Sequence, residues 1–240
     1  MNEHVDILVF AAHPDDAELS CSGTLMKHIA NGASVAIVDL TQGELGSRGT
    51  IESRYSEAKL ASELMGVSHR ENLKLKDGWF EINEESKRLV IEQIRRFRPK
   101  IVLANALSDR HPDHGRGGEL VSEACFLTGL RKIETSWNGQ RQEHYRPQAV
   151  YHYIQDYYIK PDFVVDVTEF VDRKIEVIKA FKTQFFDANS KEPATPISGE
   201  DFFDFITSRM REMGRPAGMK FAEGFTGERF IGVEDMLELV

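Results

Sequence analysis

Residues 5–12 (VDILVFAA) form a short, nearly unbroken apolar run rich in branched side chains, the pattern of a strand buried on both faces. Residues 34–40 (SVAIVDL) and 100–106 (KIVLANA) repeat that pattern. Between them the spacing changes. Leu19, Leu25, Met26 and Ile29 give residues 17–31 a broad apolar face that stops at Asn31-Gly32. Ala58, Ala61, Leu64 and Met65 do the same for residues 52–65, ahead of Gly66. In residues 83–97, Val90, Ile94 and Phe97 recur at i, i+4 and i+7, with Asn83 placed to cap the start and Pro99 to close the end. A strand at 72–75 and a helix at 119–130 complete four strand-helix units. Strands at 150–154 and 163–167 and a helix at 171–181 follow.

Such alternation predicts an α/β fold: a Rossmann-like open, mostly parallel sheet with helices on both faces, plus a smaller C-terminal lobe. Residues 1–190 are read as the core. Residues 191–240, punctuated by Gly and Pro, are read as a lid or oligomerisation segment of the same domain. No internal repeat or low-complexity tract interrupts this order.

Composition narrows the class of partner. Of the 240 residues 41% are hydrophobic and 29% charged, with a mean hydropathy of -0.38, as in an ordinary soluble globule. The 39 acidic against 30 basic side chains leave a net charge of -9, which repels phosphate backbones and argues against a nucleic-acid partner. The apolar runs fall well short of the ~20 residues that span a bilayer. The opening MNEHVD has no basic n-region, so a cytoplasmic location with no membrane attachment is expected. Cys21 and Cys125 lie far apart, outside any zinc-ribbon or redox spacing, and are expected to be buried thiols.

The chemistry-bearing residues cluster in two places. His13-Pro14-Asp15-Asp16 follows the first strand, and His111-Pro112-Asp113-His114 follows the strand at 100–106. Ligands of open α/β sheets bind beyond the carboxyl ends of strands, where neighbouring strands send their crossovers in opposite directions. If the first and fourth strands are such neighbours, both motifs meet. His13, Asp16 and His114 then offer two imidazoles and a carboxylate, a set that binds a divalent metal and leaves a position for water. Asp15 and His111 remain as a base and as a group that can be cationic near neutral pH. A plain helix-capping role would suit either Asp15 or Asp16 alone. The second motif weighs against it, because ionisable groups buried at strand ends are costly without a partner.

AHPDD and HPDHG resemble the motifs of the PIG-L/LmbE-like zinc N-deacetylases, which act on N-acetylglucosamine conjugates, and the resemblance covers most of the chain. The stretch HPDHGRGGELVSEACFLTGLRKIET is similar to the bacillithiol-biosynthesis branch, which removes acetyl from N-acetylglucosaminyl malate. The resemblance implies zinc, with Fe2+ as an alternative, held by His13, Asp16 and His114. It implies Asp15 as general base and His111 as acid or oxyanion partner. Asp113 is expected to orient His111 and favour its imidazolium. Arg54 matches an arginine near the sugar or its aglycone, and Arg110 adjoins the metal motif. The planar fork of arginine suits the carboxylates of a malate aglycone, with Arg48 and Arg116 as further candidates. Phe221 lacks the hydroxyl that a family tyrosine would supply, so Tyr157 or Tyr158 is expected to substitute. Relatives form homo-oligomers, hexamers among them, and the partner implied is a small-molecule glycoconjugate.

Two rivals use the same residues: a deacetylase of another small GlcNAc conjugate, and a catalytically silent, metal-containing sugar-binding protein. A third takes the two His and one carboxylate as the facial triad of an iron(II) oxygenase, although Asp15 and His111 suit hydrolysis better. GELGSRG does not follow the first strand directly and so is no dinucleotide fingerprint. His4, His28, His69, His144 and His152 have no ligand-type neighbours at useful spacing and read as surface or core histidines.

Overall fold

The computed structural model of the protein describes residues 3–239. Strand β1 (Ile7–Ala11) is buried along its whole length. Helix α1 (Asp16–Ala30), β2 (Val35–Thr41), α2 (Ile51–Met65), β3 (His69–Leu75), α3 (Glu84–Phe97), β4 (Ile101–Ala104) and α4 (Pro112–Leu127) follow in alternation. A short hairpin of β5 (Ser136–Trp137) and β6 (Gln140–Arg141) precedes β7 (Ala149–Tyr153), β8 (Phe163–Asp166), α5 (Val171–Lys179), α6 (Asp201–Gly214) and β9 (Ala222–Gly227). The main sheet runs β3-β2-β1-β4-β7-β9-β8. Its first five strands are parallel, while β9 is antiparallel to both β7 and β8.

The period-2 geometry of β1 distributes its side chains between two cores. Ile7, Val9 and Ala11 pack with Cys21 and Leu25 of α1, Ala61 of α2 and Ile178 of α5. Leu8 and Phe10 pack on the other face with Val90 and Ile94 of α3 and Val121 of α4. Burying one such branched side chain contributes about 1.5–3 kcal/mol, so each face secures its own helix layer. Cys21 and Cys125 are buried free thiols within these layers.

Local signals explain most helix ends. Asn83 caps α3 in a reciprocal box, its side chain accepting from the Ser86 N–H while Ser86 Oγ accepts from the Asn83 N–H. Thr50 and Ser53 form the same box at α2. Helix α4 departs from expectation by starting at Pro112 rather than 119. Gly115, Gly117 and Gly118 depress helix propensity there, yet they are needed for close approach. A Cβ on Gly118 would lie 2.6 Å from the Asn105 carbonyl oxygen.

The C-terminal fifty residues, in which sequence periodicity placed no strand, are threaded back into the sheet. Strand β9 lies between β7 and β8, and α6 packs against it. Among the described residues no helix is long and apolar enough to cross a membrane.

Candidate active site

Strands β1 and β4 are neighbours, paired from Ile7 with Ile101 to Val9 with Leu103. From β1 the chain passes through α1 to β2 on one side, then returns through α3 to β4 on the other. The two crossovers diverge, opening the crevice that both motifs were expected to share. Asn105 ties its rims together: its Oδ1 accepts from the Ala12 N–H at 2.9 Å, and its Nδ2 donates to Asp16 Oδ2 at 2.9 Å. Asp16 Oδ2 also accepts from the His13 N–H at 2.9 Å, and Gln155 donates to Oδ1 at 3.2 Å.

Asp16 stands between the two imidazoles. Its Oδ2 is 3.6 Å from His13 Nδ1 and its Oδ1 is 3.1 Å from His114 Nε2. Each ring is backed from behind by a carboxylate. Asp77 Oδ1 lies 3.0 Å from His13 Nε2, and Asp109 Oδ2 lies 2.5 Å from His114 Nδ1. A carboxylate behind an imidazole fixes its tautomer, leaving the opposite nitrogen with a lone pair for a cation. The donor chemistry therefore fits a divalent metal held by His13, Asp16 and His114. Ring nitrogens of His13, His111 and His114 also lie within 4.8 Å of one another. Although burial works against it, the charge and hydrogen bonds of His114 and His13 hold Asp16 well below the carboxylate range. Against the same cost of burial, Asp16 and Asp109 raise His114 to about 9.

Asp15 is different. It occupies the position before α1 with φ 146°, a strained conformation for a residue with a Cβ, and its side chain makes no capping bond. Burial, reinforced by Asp16, pushes its carboxyl up to about 7 against the pull of Arg54. Arg54, from α2, is itself buried, with Nη1 3.4 Å from Asp15 Oδ2 and Nη2 bonded to Gln184 Oε1. Its Nε has no partner among the described residues. Gly43, at φ 66°, leaves room for this side chain, because a Cβ there would sit 2.9 Å from Nη1.

His111 is the residue before α4, and its Nδ1 accepts the Asp113 N–H at 3.2 Å. That bond leaves the ring proton on Nε2. Burial, together with the charges of His13 and His114, lowers the His111 pKa. That direction favours a neutral ring over the expected imidazolium, although the Asp113 charge pulls the other way. The Asp113 carboxylate does not orient it. Asp113 Oδ2 accepts from the Gly78 N–H at 2.7 Å and lies 3.5 Å from His13 Nε2, while Oδ1 accepts from Arg116 at 2.6 Å.

The other candidates separate by location. Arg110 lines the cavity at its rim, exposed and bonded to Asp156 at 2.8 Å. Arg48 is buried against the Thr183 carbonyl and Ser190 Oγ, outside the cavity, where it clamps the chain after α5. Arg116 serves Asp113 and the Gly78 carbonyl. Tyr157 and Tyr158 are exposed and Phe221 is in the core, and none of the three lines the cavity. His152 is a core histidine between the Asn105 carbonyl and Glu228. Sequence reasoning missed Asp77, Asp109, Asn105, Gln155 and Gln184. Only Asp109, two residues before HPDH, had a positional signal.

His13, Asp15, Asp16, Arg54, Asp77, His111 and His114 open onto one cavity of about 270 Å³. Residues 8–125 match the family described as PIG-L, GlcNAc-PI de-N-acetylase. A diacetylchitobiose deacetylase of Thermococcus kodakarensis is 27% identical over 93% of this chain and 83% of its own length. A probable N-acetyl-alpha-D-glucosaminyl L-malate deacetylase 2 of Bacillus anthracis is 24% identical over 77% of this chain and 84% of its own. The crystal structure of a conserved protein of Thermus thermophilus superposes with a TM-score of 0.84 at 33% identity, covering 96% of this chain and 98% of that one.

Proposed function

From the match of residues 8–125 to the PIG-L, GlcNAc-PI de-N-acetylase family, we propose that this chain is an N-deacetylase of that family and hydrolyses the acetamide of an N-acetylglucosamine conjugate, with N-acetyl-D-glucosaminyl-L-malate as the substrate. The observation that carries the reading is Asp15: a buried, strained carboxyl, raised to about 7, beside a ligand-type cluster at the wall of the cavity. A capping residue would need none of these features.

His13, Asp16 and His114 would hold a divalent ion, zinc or alternatively iron(II), which when bound would supply electrophilic activation. Asp15 takes the proton of the attacking water and returns it to the amine as the C–N bond breaks. Arg54 limits how far the Asp15 carboxyl rises, so that it is unprotonated often enough to act as a base. His111 presents its Nε2–H to the developing oxyanion. A neutral imidazole can stabilise that charge by hydrogen bonding without transferring a proton. Asp77 and Asp109 hold the ligand rings in place and take no part in proton transfer.

The malate aglycone is supported by the Bacillus relative and by Arg110 at the cavity rim. A neutral GlcNAc disaccharide is the second reading, favoured by the longer match to the Thermococcus enzyme. Amine release from the malate conjugate, diacetylchitobiose and free GlcNAc, with and without chelator, tests both. The malate reading expects the highest kcat/KM for the malate conjugate and loss of activity in chelator. Preference for the disaccharide transfers the assignment to the second reading, and chelator-insensitive turnover rejects the metal.

A further inference from the structure

The cavity has two chemically different walls. Sheet order places the loops after β2 and β3 on one side of the β1/β4 crevice, and β9 with α6 on the other. The first wall carries Arg54 and Asp77. The second is largely apolar: Ile154, Phe202, Ile206, Met210 and Met213 line it, together with Leu19 from α1, while Arg209 of α6 donates to the Asp156 carbonyl. Two charged groups at this end, Lys174 and Glu223, neutralise each other at 2.6 Å, and Glu223 also accepts the Gly23 and Thr24 N–H groups. Both are almost fully buried. Sugar hydroxyls placed here would lose water without gaining equivalent partners, a costly exchange.

We propose that this apolar chamber is an acyl pocket, and that the enzyme cleaves N-acyl glucosamine conjugates whose acyl group is longer than acetyl, aliphatic C3 to C6. The inference rests on the amide-hydrolase reading above and deepens it. An amide held at the crevice projects its two substituents in opposite directions. The hydroxylated sugar faces the wall with Arg54 and Asp77, so the acyl carbon chain faces α6. Acetyl brings a single methyl to a wall of six large side chains, two of them methionines, whose flexible thioethers adapt to chains of different length. Hydrolysis is otherwise unchanged: water adds its oxygen to the acyl carbon, the C–N bond breaks, and a short fatty acid leaves with the free amine.

The test is an N-acyl series of acetyl, propionyl, butyryl and hexanoyl, built on both glucosaminyl-malate and chitobiose and read by amine release. We expect kcat/KM to rise by up to about fourfold per added methylene while the chamber is filling. Ile206→Trp, which fills the chamber, should lower the butyryl-to-acetyl ratio at least tenfold. Met210→Ala, which enlarges it, should move the optimum to a longer chain, and either shift supports the pocket. Octyl and methyl glycosides of GlcNAc provide the aglycone arm. If Ile206→Trp alters their ratio and leaves the acyl ratio unmoved, the chamber holds the aglycone and the proposal is overturned. Cleavage of acetyl with butyryl more than tenfold slower removes the acyl pocket alone. Failure to cleave any amide removes the hydrolase reading and the pocket with it.

Discussion

The two His-Pro motifs share three letters and stand at equivalent places, each between a parallel strand and the helix that follows it, yet their aspartates have opposite environments. Asp15 has one charged partner, Arg54 at 3.4 Å, and burial raises its carboxyl to about 7. Asp113, at the matching position, accepts from the Gly78 N–H and from Arg116 at 2.7 and 2.6 Å. Despite its burial, His13 and the Gly78 bond keep its pKa below the ordinary value. A carboxylate whose lone pairs are fully used holds structure together, whereas one left short of donors can take a proton. The histidines diverge as well. His13 turns its Nδ1 to Asp16 of its own motif, while His111 turns its Nδ1 to the backbone of its own helix.

The largest expected effect tests that contrast directly. Asp15→Asn should lower kcat by roughly 10²–10⁴ while metal content by elemental analysis stays unchanged, as for loss of a general base. Asp113→Asn should instead lose about 1–3 kcal/mol of stability in denaturant unfolding, as for a buried acceptor partly unmade. Equal falls in kcat for the two variants would erase the distinction.

His111→Ala comes next. It removes one oxyanion donor, so kcat should fall by about 10²–10³ with a smaller change in KM. A rise in KM at unchanged kcat would assign His111 to binding. Gly118→Ala, on the helix of the second motif, forces a Cβ onto the Asn105 carbonyl and should cost about 1–3 kcal/mol by thermal unfolding. A neutral result would mean that α4 can move away from β4 at no cost.

The smallest effect lies outside the crevice. Hydrogen bonds from Lys100 and Ser34 hold Asp6 at about 2, below its ordinary 3.8. Because the folded-state value is the lower one, the stabilisation is present above the ordinary pKa and fades as pH falls towards 2. Asp6→Asn should be slightly less stable than the parent at neutral pH and indistinguishable from it near pH 2. The pair is exposed, so the difference is small and salt-sensitive. A gap that persists in acid would show that the ion pair is not its source.

Much of the fold was legible because its signals are local. The apolar runs of β1, β2 and β4 and the cap at Asn83 lie within a few residues of the structure they specify. The start of α4 was obscured because its glycines lower helix propensity while meeting a packing need that arises across the fold. Strand β9 was obscured because AEGFTG has a glycine where period-2 alternation would require a side chain. In the crevice the ligand-type residues stood out by type and repetition. Their backing carboxylates did not, since an aspartate such as Asp77 in a Lys-Asp-Gly turn looks the same whether or not an imidazole lies over it.

Sequence alone determined the alternation of strands and helices from β1 to α4 and the kinds of side chain available at the ends of β1 and β4, because periodicity and residue chemistry are properties of short stretches. Tertiary structure decided which aspartate is free to take a proton and which is tied, which ring is neutral, and that one end of the cavity is apolar. Those outcomes depend on donors and apolar walls brought from afar in the chain: Gly78 reaches Asp113 across 35 positions and Gln184 holds Arg54 across 130. No window of residues contains both partners, so only the folded chain can set the balance of burial and charge between them.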